Sequence, residues 1–406
     1  MTYQDLKERV DYRIALIVLS LLLIGVVSVY SATFDARAAE TFHKQLIWIA
    51  VGAITLISIA FVPFRILQLI SLPAYFLSIL LLIIVLLLGK TVSGSTSWFN
   101  LGVIRLQPSE FTKITTVLAL ATYLSRSDVS LQKFRNLSVA AGIVLLPFCL
   151  IMLQPDFGTA VIYFGMFFPV LFWGGASRFT LVSILAPVAT AVAALFGTTP
   201  FLISILVFGI LLYLTKEDRI VAATVFSLTV MVGISVQFIY ERLKLYQQKR
   251  IATFLDPNAD PLGAGYNILQ SKVAIGSGGF FGKGFLKGTQ TQLNFIPEQW
   301  TDFIFCVPGE EFGFLGSATV LLLFMALLMR GVTLGSTVKN RYGSFVAIGL
   351  TSIFATHIFF NIGMSIGLLP VVGVPLPFLS YGGSALLSSM IMIGILMNLY
   401  ANRKEY

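Results

Sequence analysis

Several short polar motifs interrupt an otherwise apolar chain, and each holds residue types able to do chemistry. One is Pro297-Glu298-Gln299-Trp300-Thr301-Asp302-Phe303-Ile304-Phe305. Asp302 stands where a long polar segment gives way to a long apolar one. A carboxylate at the mouth of a membrane helix can take a proton from a substrate that is itself half lipid. It is equally placed to cap the helix that follows. Glu310 and Glu311 come eight and nine residues later, ~12 Å deeper along a continuous helix. Two carboxylates that close raise at least one pKa in a low dielectric. Pro308 lies between Asp302 and that pair and should kink the span, because it removes a backbone hydrogen bond.

A second motif is Arg105-Leu106-Gln107-Pro108-Ser109-Glu110-Phe111-Thr112-Lys113. Gln107 or Ser109 can cap a helix with Pro108 or Glu110 in its first turn. Glu110 and Lys113 are spaced i,i+3 and can pair. Two readings stand: a cap with an ion pair, or ionisable groups at a membrane boundary facing a cavity or pathway. In Gln154-Pro155-Asp156-Phe157-Gly158-Thr159, Asp156 either caps the next span or joins that cavity, and Gly158 permits close helix packing. The stretch from Pro370 to Ser384 holds three prolines and three glycines. Non-helical backbone at a membrane edge is tolerated inside protein or beside a water-filled cavity. It reads as the wall of a cleft, against the plain alternative of an external turn.

The segment 242–302 is long, basic and glycine-rich. Arg242, Lys244, Lys249 and Arg250 interleave with Leu243, Leu245 and Ile251, the pattern of an interfacial amphipathic stretch. Residues 256–263 carry turn chemistry. Gly276 to Gly284 looks like a phosphate loop but is no Walker motif: Ser277 stands at the first glycine position and Gly284 follows Lys283. Its backbone amides, with Lys272, Lys283 and Lys287, are candidates to cradle a pyrophosphate. The alternative is a floppy loop with solvated lysines.

The elements that must position these residues are membrane helices. Of 406 residues, 57% are hydrophobic and 11% charged, against roughly 25% charged in soluble proteins. Long apolar runs recur near the ~20 residues that cross a bilayer, and they do not alternate as a barrel strand would. The expected class is an all-α polytopic membrane protein, one integral domain over 1–406. Twelve spans are expected near 13–33, 45–63, 66–89, 110–124, 137–153, 157–175, 179–198, 201–215, 219–241, 303–329, 343–367 and 380–400. Lys7 and Arg9 precede the first apolar run, which lacks a cleavage site, so a retained span is expected. Lys and Arg in the short loops put both termini in the cytoplasm. The segments 90–113, 154–159, 242–302 and 370–384 then share the external face. Cys149 and Cys306 lie in apolar context and read as small buried hydrophobes. His43 and His357 cannot make a usual zinc site, and His357, mid-helix, reads as packing. The net charge of +9 suits anionic lipid head groups and calls for no nucleic acid.

These motifs, in this order, resemble the SEDS family of cell-wall polymerases. The match covers Trp98 to Lys113, Gln154 to Thr159, Leu255 to Gly316, Asn361 to Met364 and Pro370 to Ser384. The stretch Gln270 to Gln290 is nearer to the elongation branch than to the division branch. The resemblance implies a helical bundle with a ten-span core, so two of the spans in 178–241 are extra. It implies a peptidoglycan glycosyltransferase that joins lipid II to a growing glycan strand outside the cytoplasmic membrane. Asp302 takes the place of the proposed general base, with Arg105, Glu110, Lys113, Asp156, Lys272, Glu310 and Glu311 as substrate-side residues. No cofactor is required by the pattern, although a divalent cation, Mg or Mn, would suit the pyrophosphate. The implied partners are a class B penicillin-binding protein and other membrane proteins of the elongation complex. A lipid II transporter is the competing reading, but polar groups leading to the cytoplasmic side are few and inverted repeats are not visible. A non-catalytic scaffold would leave the external carboxylates without a task.

Overall fold

The computed structural model describes residues 10–34, 38–92, 94–101, 104–242, 248, 265–293 and 295–404. Lys7, Arg9, Lys244, Lys249, Arg250 and the turn at 256–263 lie outside these residues. The chain is an all-α polytopic membrane protein with one small sheet. Twelve helices of 17 to 25 residues follow one another: α1 (Tyr12–Phe34), α2 (Ala39–Ala60), α3 (Phe64–Leu88), α4 (Pro108–Leu124), α5 (Phe134–Leu153), α6 (Phe157–Trp173), α7 (Arg178–Leu195), α8 (Thr198–Leu214), α9 (Arg219–Arg242), then α12 (Gly313–Thr337), α13 (Arg341–Ser365) and α14 (Gly383–Ala401). Between α9 and α12 lie the shorter α10 (Tyr266–Ser277) and α11 (Cys306–Glu311) and one turn of helix at Thr289–Gln292. Among the described residues, nine helices are long and apolar enough to cross a membrane; α6 and α8 are shorter apolar helices.

The chain divides into two compact units. One comprises residues 1–130, 135–170 and 266–406 and carries every candidate site residue. In α1, Ile14, Val18, Leu21, Gly25, Ser28, Val29 and Ala32 are buried while Leu16, Leu19 and Leu23 face outward. That is the stripe of an amphipathic helix read in reverse solvent, since the outward side meets lipid. Burial is most complete in α13, where 83% of the apolar window is enclosed, against 11% in α2. A polar side chain on α13 therefore has only protein to bond to. The second unit comprises 131–134 and 171–265. Within it α7, α8 and α9 pack tightly: a Cβ on Gly233 would strike the Phe201 ring, and one on Gly209 would touch Phe226.

Two features depart from expectation. The 90–106 stretch forms an antiparallel sheet, β1 (Lys90–Val92), β2 (Ser95–Leu101) and β3 (Ile104–Leu106), with Lys90 opposite Trp98 and Asn100 opposite Arg105. It is tied down by Thr96 N and Ser95 Oγ, which donate to Gln154 O at 3.2 and 2.9 Å. The span expected at 303–329 is broken. Residues 300–305 are turns, α11 ends at Glu311, and α12 begins at Gly313, whose φ is +63°. Pro308 does not make the break, because it sits in the first turn of α11, where its missing N–H is no loss. The break falls where Phe314 N and Leu315 N leave the helical ladder for Gly279 O and Phe280 O, at 2.9 and 3.3 Å.

The same contact settles the glycine-rich turn. Lys283 N and Gly284 N donate to Glu310 O and Glu311 O at 3.0 and 2.9 Å, and Gly282 N to Gly278 O at 2.8 Å. Two of these amides hold α11 and the third closes the turn on itself, so none of the three is left to cradle a phosphate.

Candidate active site

The segment between α13 and α14 is the wall on which the motifs meet. Its backbone is irregular, with positive φ at Gly373 (+71°) and Phe378 (+67°). Asn361 of α13, fully buried, donates through Nδ2 to Val374 O and to Asp302 O, both at 2.8 Å. Tyr381 N donates to Trp300 O at 2.8 Å, and Ser380 Oγ donates to Thr301 O. These bonds fix the turn 300–305 against the wall. Asp302 is half-buried there, and its Oδ2 lies 3.4 Å from the place a Cβ would occupy on Gly373. It does not cap α11, whose N-cap is Phe305.

On the other side of the wall is an enclosed charge cluster. Lys113 Nζ lies 2.8 Å from Glu110 Oε2, with side chains 1% and 5% exposed. Ser388 Oγ donates to the same carboxylate oxygen at 2.7 Å. Lys113 Nζ also lies 2.9 Å from His357 Nε2, and His357 Nδ1 lies 3.0 Å from Pro375 O. His357 is thus a polar node and not the packing residue that its apolar helix suggested. Neither Gln107 nor Ser109 caps α4 through its side chain. Gln107 instead donates through Nε2 to Asp156 Oδ2 at 2.9 Å, and its N–H donates to Ser384 Oγ at 3.2 Å. Asp156 also accepts from Thr159 N at 3.1 Å and Thr159 Oγ1 at 2.9 Å, so it caps α6 and joins the cluster at once. Burial raises the Asp156 carboxyl above its ordinary value, and the Thr159 and Gln107 bonds only partly offset this. Arg105 is exposed on β3, with its carbonyl accepting from Ser384 Oγ at 3.2 Å. Lys272 is exposed on α10 and lays its methylenes over Gly367.

Glu310 and Glu311 belong to a separate station and do not face each other. Glu310 accepts from Gln290 N at 2.9 Å and Thr291 N at 3.0 Å, and pairs with Lys283 at 2.8 Å. Burial pushes its carboxyl up, but these donors outweigh burial and hold it below the ordinary value. Glu311 accepts from Ser31 Oγ of α1 and from Gln292 Nε2. For it burial wins, and its carboxyl is raised. Both carboxylates are buried and staple the 283–292 segment to α11 and α1. Lys283 is engaged there too.

The structure therefore brings Asp302, Glu110, Lys113, Asp156 and Arg105 to the elements around one wall, leaves Lys272 exposed on α10, and engages Glu310 and Glu311 with α1 and the 283–292 segment instead. It adds His357, Asn361, Gln107, Ser384 and Ser388. One signal could have found two of these: His357 and Asn361 are polar, four apart, in an apolar span. Ser384 and Ser388 repeat that spacing in the next.

The FtsW/RodA/SpoVE family model, described as a cell cycle protein, matches residues 12–202 and 196–405. The chain is 36% identical to the peptidoglycan glycosyltransferase MrdB of Escherichia coli (strain K12), over 99% of this chain and 96% of that protein. It is 34% identical to the peptidoglycan glycosyltransferase RodA of Treponema pallidum (strain Nichols), over 97% and 98% of the two. Among solved structures, a chain of a peptidoglycan synthase complex that coordinates polymerization and crosslinking matches with a TM-score of 0.75 and 25% identity, over 98% of this chain and 99% of that one.

Proposed function

Because the chain belongs to the FtsW/RodA/SpoVE family of cell cycle proteins and is a peptidoglycan glycosyltransferase of the RodA type, we propose that it polymerises lipid II with Asp302 as general base. The observation that carries this reading is the placement of Asp302: a half-buried carboxylate on a turn that is bonded at three consecutive residues to the Pro370–Ser384 wall and Asn361.

The acceptor's sugar hydroxyl gives its proton to the Asp302 carboxylate as its oxygen bonds the donor's anomeric carbon. The bond from that carbon to the pyrophosphate breaks, and the electron pair leaves with undecaprenyl pyrophosphate. One carboxylate is enough, because pyrophosphate leaves without an acid, unlike the leaving group in glycoside hydrolysis. Direct displacement inverts the centre, so an α-linked donor becomes a β-1,4-linked strand. Arg105 and Lys272, exposed and cationic, are the groups assigned to the pyrophosphate charge. Glu110, Lys113 and Asp156 act by holding the wall. A divalent cation, Mg or Mn, enters this reading only as a companion of the diphosphate. Among the described residues no three His, Cys, Asp or Glu side chains converge to hold one, so no step is routed through it.

In this reading the protein lies in the bacterial cytoplasmic membrane, with both termini in the cytoplasm and the wall on the outer face. It works with a class B penicillin-binding protein, within an elongation complex that includes other membrane proteins. The likeness to a synthase complex that couples polymerization with crosslinking supports that partner.

The test is glycan polymerisation from labelled lipid II by the purified protein, with and without the penicillin-binding partner, for wild type and Asp302→Asn. Melting temperatures check folding. Polymer from wild type and none from a well-folded variant is the expected result. Equal polymerisation by the variant removes Asp302 as base.

A further inference from the structure

His357 and Asn361 stand one turn apart on the most enclosed span, so they share a face. Their side chains reach two consecutive wall carbonyls, Pro375 O at 3.0 Å and Val374 O at 2.8 Å. Each also holds a member of the chemistry on its other arm. Asn361 Nδ2 is 2.8 Å from Asp302 O, and His357 Nε2 is 2.9 Å from Lys113 Nζ. The His357 tautomer follows from its partners. A carbonyl only accepts, so Nδ1 carries the hydrogen. An ammonium only donates, so Nε2 is the acceptor. The imidazole is neutral and has one correct orientation.

We infer that His357 and Asn361 are positioning residues for glycosyl transfer: a two-point clamp that fixes the Val374–Pro375 wall and, through it, Asp302 relative to the Lys113 cluster. The inference rests on Asp302 being the base. Neither residue touches the reacting atoms. Their work is to remove the freedom of a non-helical wall that has no hydrogen-bond ladder of its own. A shift of ~1 Å in a reacting group costs about 100-fold in rate, so loss of either clamp point should appear in kcat.

Two substitutions at 357 separate its arms. His357→Asn puts an amide donor where Nδ1 was, keeping Pro375 and releasing Lys113. His357→Gln puts a carbonyl acceptor near the Nε2 position, keeping Lys113 and releasing Pro375. Asn361→Leu keeps the branching and number of side-chain heavy atoms and removes both donors. Asn361→Ser, which keeps one donor at shorter reach, stands in if the leucine variant does not fold. Each is measured in the full-length protein with its penicillin-binding partner, as initial polymerisation rate against lipid II concentration, beside its melting temperature.

The expected result is His357→Gln and Asn361→Leu about 100-fold low in kcat, with KM for lipid II within about threefold of wild type. The retained wall bond should make His357→Asn the milder of the two changes at 357. Folded variants with wild-type kcat, or a loss confined to KM, overturn the inference. Asp302→Asn is run alongside. If it turns over normally, the base assignment fails by its own measurement. If it is inactive while the clamp variants match wild type, only the clamp fails.

Discussion

Lys113→Met removes one partner from an ion pair that protein encloses on every side. The two side chains are 1% and 5% exposed, and the charges are 2.8 Å apart. After the change Glu110 keeps only the Ser388 hydroxyl as a bonded partner on Oε2, and His357 Nε2 loses its donor. Removing one member of a buried pair costs about 3–5 kcal/mol, because the survivor is an uncompensated charge in low dielectric. At about 2.1 cal/mol/K of unfolding entropy per residue, 406 residues shift by about 1 °C per kcal/mol, so the melting temperature should fall by roughly 5 °C. Glu110→Gln strands the Lys113 ammonium in the same way and should cost a similar amount, less whatever is kept by an amide oxygen that still accepts from Ser388 and from Lys113. The double change, Glu110→Gln with Lys113→Met, leaves no buried charge and should recover part of the loss.

The assay is a melting curve of purified protein in detergent for wild type, both single variants and the double. The coupling energy follows from the cycle. A Lys113→Met protein that melts with wild type refutes the reasoning, because it would mean that the pair is hydrated and Lys113 is free to meet substrate directly. A double variant no better than Lys113→Met would also count against it, since the damage would then lie in lost packing and not in the stranded carboxylate.

Gly158→Ala would place a Cβ 2.2 Å from Val372 O, so the wall must move; overpacking of this kind costs about 1–3 kcal/mol, and polymerisation should fall as melting drops, whereas wild-type turnover would show the wall to be compliant. Burial raises the Glu311 carboxyl above its ordinary 4.5, so the folded state binds this proton more tightly than the unfolded one. Its contribution to stability is therefore greatest below pH 4.5 and declines as pH rises towards the raised value. Glu311→Gln should remove that decline, which melting curves at successive pH values will show; parallel curves for the two proteins would refute it. Burial pushes the Cys306 thiol up to about 12, with Ser271 Oγ at 2.8 Å, while Cys149 is exposed. A membrane-permeant maleimide should leave Cys306 unmodified in folded protein and modify it after denaturation, read by the mass of its peptide; modification of Cys306 in folded protein would refute its burial.

The helices were legible because apolar runs of this length have one stable fate in a bilayer. That Asp302 stands on a turn ahead of a helix was legible because the change from polar to apolar sequence put it at a boundary. The sheet at 90–106 was not, because strands of three and seven residues leave too short a pattern to separate from turns. The break at Phe312 was hidden for another reason. Pro308, Gly309, Gly313 and Gly316 weaken a helix here without saying where it breaks; the ladder is cut by carbonyls of Gly279 and Phe280 more than thirty residues earlier in the chain. Glu310 and Glu311 differ in their partners, and only the fold shows that one turns to Lys283 and the other to Ser31; the Glu310 charge still adds to the rise of the Glu311 carboxyl, as their spacing suggested. A lone histidine has no meaning until its partners are known. His357 was therefore misread, although Asn361 one turn away was the available hint.

The Pro370–Ser384 wall poses the question of how irregular backbone survives at a membrane edge. Each unmet buried polar group there would cost about 1–3 kcal/mol, and no ladder meets them. Side chains and turns from elsewhere do. Val374 O accepts from Asn361, Pro375 O from His357 and Ser380 O from Gln45. Leu376 N donates to Ser380 Oγ, and Ser380 N to Leu376 O. Phe378 O sits where a Cβ on Gly25 of α1 would be, 2.3 Å away, so α1 must present bare backbone there. A loop held by so many separate elements transmits displacement of any one of them to the others. That is why the charge cluster at Lys113 and the carboxylate at Asp302, on different elements, should respond together to a change in the wall. A substitution that loosens the wall without touching either group, Gln45→Leu for example, should lower turnover more than it lowers the melting temperature.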